Sequence, residues 1–123
     1  MAKTPVIAIV DDDEGVRASL ASLVRSLGYE AHAYESGVAF LREPAGEDPA
    51  CMIADVQMPV MAGDELQTKL LASGRRFPII FITAFPTESV QQRVMAAGAH
   101  CYLRKPTGSG EIIRCLEEAL ADH

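Results

Sequence analysis

A small set of polar residues stands directly behind short apolar runs. Asp11, Asp12 and Asp13 follow Val6-Ile-Ala-Ile-Val10, Asp55 follows Cys51-Met-Ile-Ala54, Thr83 follows Ile79-Ile-Phe-Ile82, and Lys105 comes shortly after Cys101-Tyr-Leu103. If Asp11, Asp12 and Asp55 converged with nothing to balance them, each like-charged pair at about 4 Å would cost roughly 4 kcal/mol at an effective dielectric of about 20. That is a large fraction of a small domain's stability, so the group calls for a counter-ion. A hard divalent cation suits an all-oxygen donor set. Mg²⁺ in particular binds through one or two carboxylates and keeps waters that a phosphate can replace, with Mn²⁺ as a substitute. Lys105 adds one more positive charge. A metal beside a carboxylate, a hydroxyl and an ammonium is suited to accepting a phosphoryl group. Asp55 would be the nucleophile, with Thr83 donating to one phosphoryl oxygen and Lys105 neutralising the charge.

Each residue also has an ordinary structural role. An acid after a strand often caps the next helix, and Asp13 is assigned to that role. Asp55 alone would pass as a turn residue before Pro59, Thr83 as a strand-end hydroxyl, and Lys105 as a solvated charge. What favours a site is the combination: acid pair, acid, hydroxyl and ammonium, in that order, at the ends of four apolar runs.

These residues need a scaffold, and the spacing of the apolar positions supplies one. The runs already named, together with Ala31-His-Ala-Tyr34, mostly lack strict alternation, as expected of strands covered on both faces. Between them lie helical patterns. Val16, Leu20, Leu23, Val24 and Leu27 mark a first helix ending at Gly28. Ser36 is the expected cap of a short second helix through Val38, Phe40 and Leu41, ended by Pro44 and the loop through Pro49. Leu66, Leu70 and Leu71 mark a third helix ending near Gly74. Val90, Val94 and Ala97 mark a fourth ending at Gly98, and Ile112, Ile113, Leu116 and Leu120 mark a fifth. Strand and helix in alternation predict an α/β fold, a doubly wound parallel sheet with helices on both faces. In such sheets ligands sit beyond the carboxyl ends of the strands, where the acids, Thr83 and Lys105 lie.

The 123 residues are expected to form one domain, residues 1–123, and 49% hydrophobic with 23% charged residues is ordinary for a soluble globular chain. A net charge of −6 with no basic tract argues against direct nucleic-acid contact. No run approaches membrane-spanning length, and Val6 to Val10 is too short for a signal-peptide core. Cys51, Cys101 and Cys115 show neither an even disulfide framework nor the close pairs of a zinc motif, so they are expected to be buried thiols in the cytoplasm. His32, His100 and His123 have no nucleophile to pair with in the sequence and are expected at the surface or a sheet edge. The methionines are expected in the core, with Met58 and Met61 placed to shield Asp55.

Read together, V-D-D-D at Val10 to Asp13, D-V-Q-M-P at Asp55 to Pro59, Gly63, I-T-A at Ile82 to Ala84, A-G-A at Ala97 to Ala99 and Y-L-R-K-P at Tyr102 to Pro106 resemble the receiver domain of two-component response regulators. The resemblance runs from about Thr4 to the last helix. V-R-A-S-L in the first helix and Y-E-S-G-V-A-F-L in the second are similar to the FixJ-like transcriptional regulators. The resemblance implies a flavodoxin-like (βα)5 fold with strand order 2-1-3-4-5. It implies that Asp55 takes a phosphoryl group from the phosphohistidine of a sensor histidine kinase. Asp11, Asp12, Asp55 and the backbone carbonyl of Gln57 would hold Mg²⁺, and Thr83 and Lys105 would contact the phosphoryl group. Tyr102 would change rotamer with Thr83, Lys105–Pro106 would be a cis peptide, and Pro59 and Gly63 would be structural. The face of the fourth helix, fifth strand and fifth helix would then switch, and commonly serves for dimerisation or partner binding. Thr107 and Gly108-Ser109-Gly110 depart from the usual pattern at the start of the fifth helix. Gln57 and Phe85 hold positions that help set phosphoryl lifetime in such domains.

A second reading is a Mg²⁺ phosphohydrolase with an aspartyl-phosphate intermediate, since Asp11-Asp12-Asp13 superficially contains a D-x-D motif. It would require a cap domain to exclude water, and the receiver motifs are far more complete. A phosphate-independent receiver is disfavoured because every chemical position is filled, and a nucleotide-binding domain because no glycine-rich loop follows the first run.

Overall fold

In the computed structural model, which describes residues 4–43 and 48–121, strands and helices alternate. The order is β1 (Val6–Val10), α1 (Glu14–Ser26), β2 (Glu30–Tyr34), α2 (Gly37–Arg42), β3 (Cys51–Asp55), α3 (Gly63–Ala72), β4 (Ile79–Thr83), α4 (Glu88–Ala96), β5 (Cys101–Arg104) and α5 (Ser109–Ala121). All neighbouring strands are parallel and the sheet order is β2-β1-β3-β4-β5. This is the doubly wound, flavodoxin-like α/β arrangement expected from the sequence. The strand order reverses between β1 and β3, and the crevice at such a switch point is where open α/β sheets bind ligands.

Strand side chains divide strictly between two cores. Ile7, Ile9, Cys51, Ile53, Ile80, Ile82 and Leu103 face α1 and α5, packing on Leu20, Val24, Ile112 and Leu116. Ala8, Val10, Met52, Ala54, Ile79 and Phe81 face the other way onto Phe40, Leu66, Leu70 and Val94 of α2, α3 and α4. Every residue of β3 and β4 is buried, which is why these runs read as continuously apolar. The edge strand β2 is mostly open to solvent: Ala31 is its one buried residue, and His32 and Ala33 are exposed. Met58 and Met61 are buried in the second core.

The helix boundaries follow their capping chemistry. Asp13 and Ser36 accept hydrogen bonds from Val16 N–H and Ala39 N–H, each at 3.0 Å, opening α1 and α2. Gly28, at φ 91°, closes α1: its N–H donates to Arg25 O and Tyr29 N–H donates to Val24 O, the Schellman pattern. Gly98, at φ 105°, repeats it after α4 and turns the chain into β5. The expected stop at Pro44 lies outside the described residues, as does His123. Ser109 and Gly110 are already helical, so α5 starts within the glycine-containing stretch.

Gly63 opens α3 against the end of β3. A Cβ there would collide with the Asp55 carbonyl oxygen and sit 3.1 Å from both the Asp55 carbonyl carbon and Val56 Cα. All three atoms are backbone and cannot rotate away. Gly63→Ala is therefore expected to lower folding stability by about 2–3 kcal/mol in urea denaturation. An unchanged midpoint would contradict this packing.

The cysteines depart from expectation. Cys101 at the start of β5 and Cys115 in α5 are joined as a disulfide, with Cα atoms 6.5 Å apart. Only Cys51 is a free, buried thiol. The fold creates this pairing by laying α5 across β5, and a separation of 14 residues gives no local motif to reveal it. Burial pushes the Cys51 thiol up to about 12, the Met52 carbonyl contact offsetting this only slightly. At pH 8 only about one in ten thousand such thiols is ionised. Iodoacetamide should thus leave the folded, non-reduced protein unlabelled and add one carbamidomethyl group, at Cys51, after denaturation. Labelling of the native form would show that Cys51 is accessible. No helix among the described residues is long and apolar enough to cross a membrane.

Candidate functional site

The carboxyl ends of β1, β3, β4 and β5 converge at one rim of the sheet. Asp11, the residue after β1, is fully buried. Its Oδ1 accepts from Asp13 N–H at 2.9 Å and its Oδ2 from Lys105 Nζ at 3.0 Å. The Asp11 carbonyl oxygen accepts from Arg17 Nη1 at 2.7 Å, so the first turn of α1 reaches back to hold this loop. Asp12 is exposed. Asp13 points into α1 as its cap and so leaves the acid pair.

Asp55 is the last residue of β3 and is 4% exposed. Its Oδ1 accepts from Gln57 N–H at 3.2 Å and its Oδ2 from Lys105 Nζ at 3.2 Å. Burial, reinforced by the Asp11 charge, raises the Asp55 pKa above the ordinary carboxylate range, and Lys105 with the Gln57 N–H offsets part of this rise. Lys105 feels the converse. Burial alone would depress its pKa, but the hydrogen bond to Asp11 and the charges of Asp11 and Asp55 outweigh burial and leave it raised. The Lys105–Pro106 peptide that follows is cis.

One ammonium therefore bridges two buried carboxylates, and the third acid remains. Carboxylate oxygens of Asp11, Asp12 and Asp55 lie within 4.8 Å of one another. Three carboxylates against one lysine leave an uncompensated negative charge among hard oxygen donors, at the switch point of the sheet. That donor set fits Mg²⁺ or Mn²⁺ and suits neither soft nor nitrogen-seeking ions.

Thr83, the last residue of β4, is fully buried. Its hydroxyl donates to Gln57 Oε1 and accepts from Phe85 N–H at 3.0 Å. A hydroxyl has one proton to donate, so Thr83 must release Gln57 before it can donate to anything else. Tyr102 in β5 is half-buried, and its hydroxyl accepts from Thr87 N–H at 3.2 Å. Thr87 is the cap of α4, so Tyr102 is tied to the start of that helix. Pro59 lies in the loop between β3 and α3, and the last residue of that loop, Ala62, donates its N–H to Glu65 Oε1 in the first turn of α3 at 3.2 Å.

Two features of this rim have no counterpart in the sequence pattern. The Gln57 side chain's hold on Thr83 ties the β3–α3 loop to the end of β4, 26 residues away and beyond any local signal. Val60, 91% exposed, takes φ 72°, a left-handed conformation. Such a conformation costs a β-branched residue about 1–3 kcal/mol, and nothing in the residue type signals it.

The chain resembles known proteins throughout. Residues 7–117 match the model of the response regulator receiver domain. The response regulator protein TmoT of Ectopseudomonas mendocina is 37% identical over 115 residues, 94% of this chain and 52% of that protein. The transcriptional regulatory protein FixJ of Azorhizobium caulinodans is 33% identical over 114 residues, 93% of this chain and 54% of that protein. This chain thus spans about half the length of the curated relatives it matches. Among solved structures, the crystal structure of FixJ-N superposes with a TM-score of 0.87 at 31% identity, covering 100% of this chain and 98% of that one. The response regulator StyR gives 0.89 at 36% identity over 97% of this chain and 60% of that one. With the receiver fold, the acidic rim and these likenesses in agreement, the chain belongs to the response regulator receiver domain family and is FixJ-like within it.

Proposed function

We propose that residues 1–123 act as one phosphoacceptor module, that Asp55 is the residue phosphorylated, and that a sensor histidine kinase is the physiological donor. The observation that carries this reading is the pair of hydrogen bonds from Lys105 Nζ to Asp11 and Asp55, which brings together strand ends 94 and 50 residues apart from the lysine in sequence. Asp11, Asp12, Asp55 and the Gln57 carbonyl would hold Mg²⁺ or Mn²⁺, which when bound supplies positive charge for the phosphoryl oxygens.

The protein's own part is positional. One Asp55 oxygen attacks phosphorus, the P–N bond of the phosphohistidine breaks, and its electron pair leaves with the imidazole. Lys105 already stands beside Asp55 and neutralises charge on the incoming group. Thr83 exchanges Gln57 for a phosphoryl oxygen. Tyr102, as it follows Thr83, releases the Thr87 N–H at the start of α4. The acyl phosphate thereby favours one of two arrangements by the contacts available only in that one, and the α4-β5-α5 face changes with it. Dimerisation through that face is the expected consequence. The domain's own activity is confined to gaining and slowly losing this group, in the cytoplasm and without direct nucleic-acid contact. Transcriptional control, named for the FixJ and TdiR relatives, is the proposed downstream output. A phosphohydrolase is not favoured, because the family likeness covers the whole rim.

Intact mass after incubation with acetyl phosphate tests the reading. A gain of about 80 Da, one phosphoryl unit, is expected with Mg²⁺ and not with EDTA. Equal gain in both would remove the metal from the mechanism. Rapid repeated release of phosphate from phosphomonoesters would favour the hydrolase.

A further inference from the structure

Among the described residues, one other group of metal-type donors is brought together, and it lies away from the acidic rim. Ligand atoms of His100, Cys101 and Glu118 lie within 4.8 Å of one another. The Cys115 sulfur is joined to that of Cys101. Cys115 and Glu118 are three residues apart on α5 and so share a helix face, while His100 and Cys101 lead into β5.

The disulfide accounts for the two sulfurs. Arg114 Nη1 donates to both Glu118 oxygens at 3.2 and 3.3 Å, an exposed i,i+4 pair that a metal would have to share or displace, which leaves the imidazole. His100 Nε2 is buried and has no hydrogen-bond partner among the described residues. The nearest acid oxygen, Glu118 Oε1, is 3.5 Å away, within ion-pair range but beyond a good hydrogen bond. A buried imidazole nitrogen without a hydrogen-bond partner among the described residues, beside the Cys101 sulfur and a carboxylate, with the Cys115 sulfur bonded to that of Cys101, supplies the donor types of a tetrahedral zinc centre.

We propose that the reduced form of this protein binds Zn²⁺ through the Cys101 and Cys115 thiolates, His100 Nε2 and one Glu118 oxygen. Reduction by a dithiol breaks the S–S bond and oxidises the dithiol to its own disulfide, leaving two cysteine thiols. Each thiol loses its proton to solvent as its Zn–S bond forms, and His100 binds as the tautomer protonated on Nδ1. Two thiolates and an imidazole select Zn²⁺ over Mg²⁺, whereas the all-oxygen rim suits Mg²⁺ where that ion is in excess, so donor type and metal supply separate the two sites. Disulfide and zinc compete for the same sulfurs, and either one ties β5 to α5. In reducing surroundings the zinc would preserve that tie. The site is independent of the phosphoacceptor reading.

The test uses the full chain, reduced with a dithiol, desalted without air and kept in excess Mg²⁺ to fill the acidic rim. Zn²⁺ uptake is followed by calorimetry, and Co²⁺ serves as a coloured stand-in. We expect about one Zn²⁺ per chain and a thiolate-to-cobalt charge-transfer band. His100→Gln, which keeps both sulfurs, should weaken zinc binding by about tenfold or more. Cys115→Ser should remove most of the band, while Cys51→Ser and Asp55→Asn should leave it unchanged, each variant checked for folding by circular dichroism. The proposal is overturned if the reduced parent takes up no zinc beyond the magnesium-competed rim, if the band follows Cys51, or if folded His100→Gln binds zinc as the parent does.

Discussion

Asp55→Asn is expected to gain no phosphoryl unit from acetyl phosphate and Mg²⁺ under conditions in which the parent gains one. An amide cannot form the acyl phosphate, and two of the neighbouring acids are otherwise engaged. Asp11 is buried and held by Asp13 N–H and Lys105, and Asp13 caps α1. The same variant should be more stable than the parent in EDTA, by about 1 kcal/mol. Burial and the Asp11 charge both oppose ionisation of Asp55, so removing its charge relieves a conflict that the parent tolerates. Lys105 keeps Asp11 as its partner. Urea denaturation of both proteins checks the second effect and intact mass the first. Phosphorylation of the Asp55→Asn variant would place the acceptor elsewhere.

Lys105→Met should have the next largest effect, and it should act on both rate and fold. The ammonium lies 3.0 and 3.2 Å from two buried carboxylates, where it is placed to meet charge developing on a transferred phosphoryl group. Loss of one such preorganised group typically lowers a rate by about 10²–10³-fold. Without the lysine, Asp11 and Asp55 share a buried site with no ammonium between them, and stability in EDTA should fall by about 3 kcal/mol. Added Mg²⁺ should restore more stability to this variant than it adds to the parent, because it replaces missing positive charge. Equal responses to Mg²⁺ would mean that metal and lysine do not compensate the same carboxylates.

How far the sequence foretells these arrangements depends on the range of the interactions. Burial on both faces leaves a continuous apolar run, so β1, β3 and β4 are visible, and helix-closing glycines such as Gly28 and Gly98 mark the crossovers. The β-α alternation then places every strand end on one side, which is why Asp11, Asp55, Thr83 and Lys105 can be grouped from spacing alone. Local capping by Asp13 and Ser36 is legible for the same reason, since each acts within three residues of itself. Asp55 and Thr83 prove to be the final residues of their strands rather than the first of their loops, a difference of one residue that pairing with the neighbouring strand decides. What escapes is the relation between distant segments: the Gln57 side chain on Thr83, the Cys101–Cys115 pairing and the His100 Nε2, which has no hydrogen-bond partner among the described residues. Each depends on how α5 or a loop lies over the sheet, and the residue types involved are also common in ordinary surface or core positions. The left-handed backbone at Val60 escapes for a different reason, since a β-branched residue argues against that conformation.

The most direct measurement is the chemical position of the phosphoryl group itself. After phosphorylation with Mg²⁺, borohydride reduces an aspartyl phosphate to homoserine, and peptide mass spectrometry then locates the altered residue. Homoserine at position 55, and at no other acid of the rim, is the result expected here. Homoserine at Asp11, Asp12 or Asp13 in place of Asp55 would contradict it.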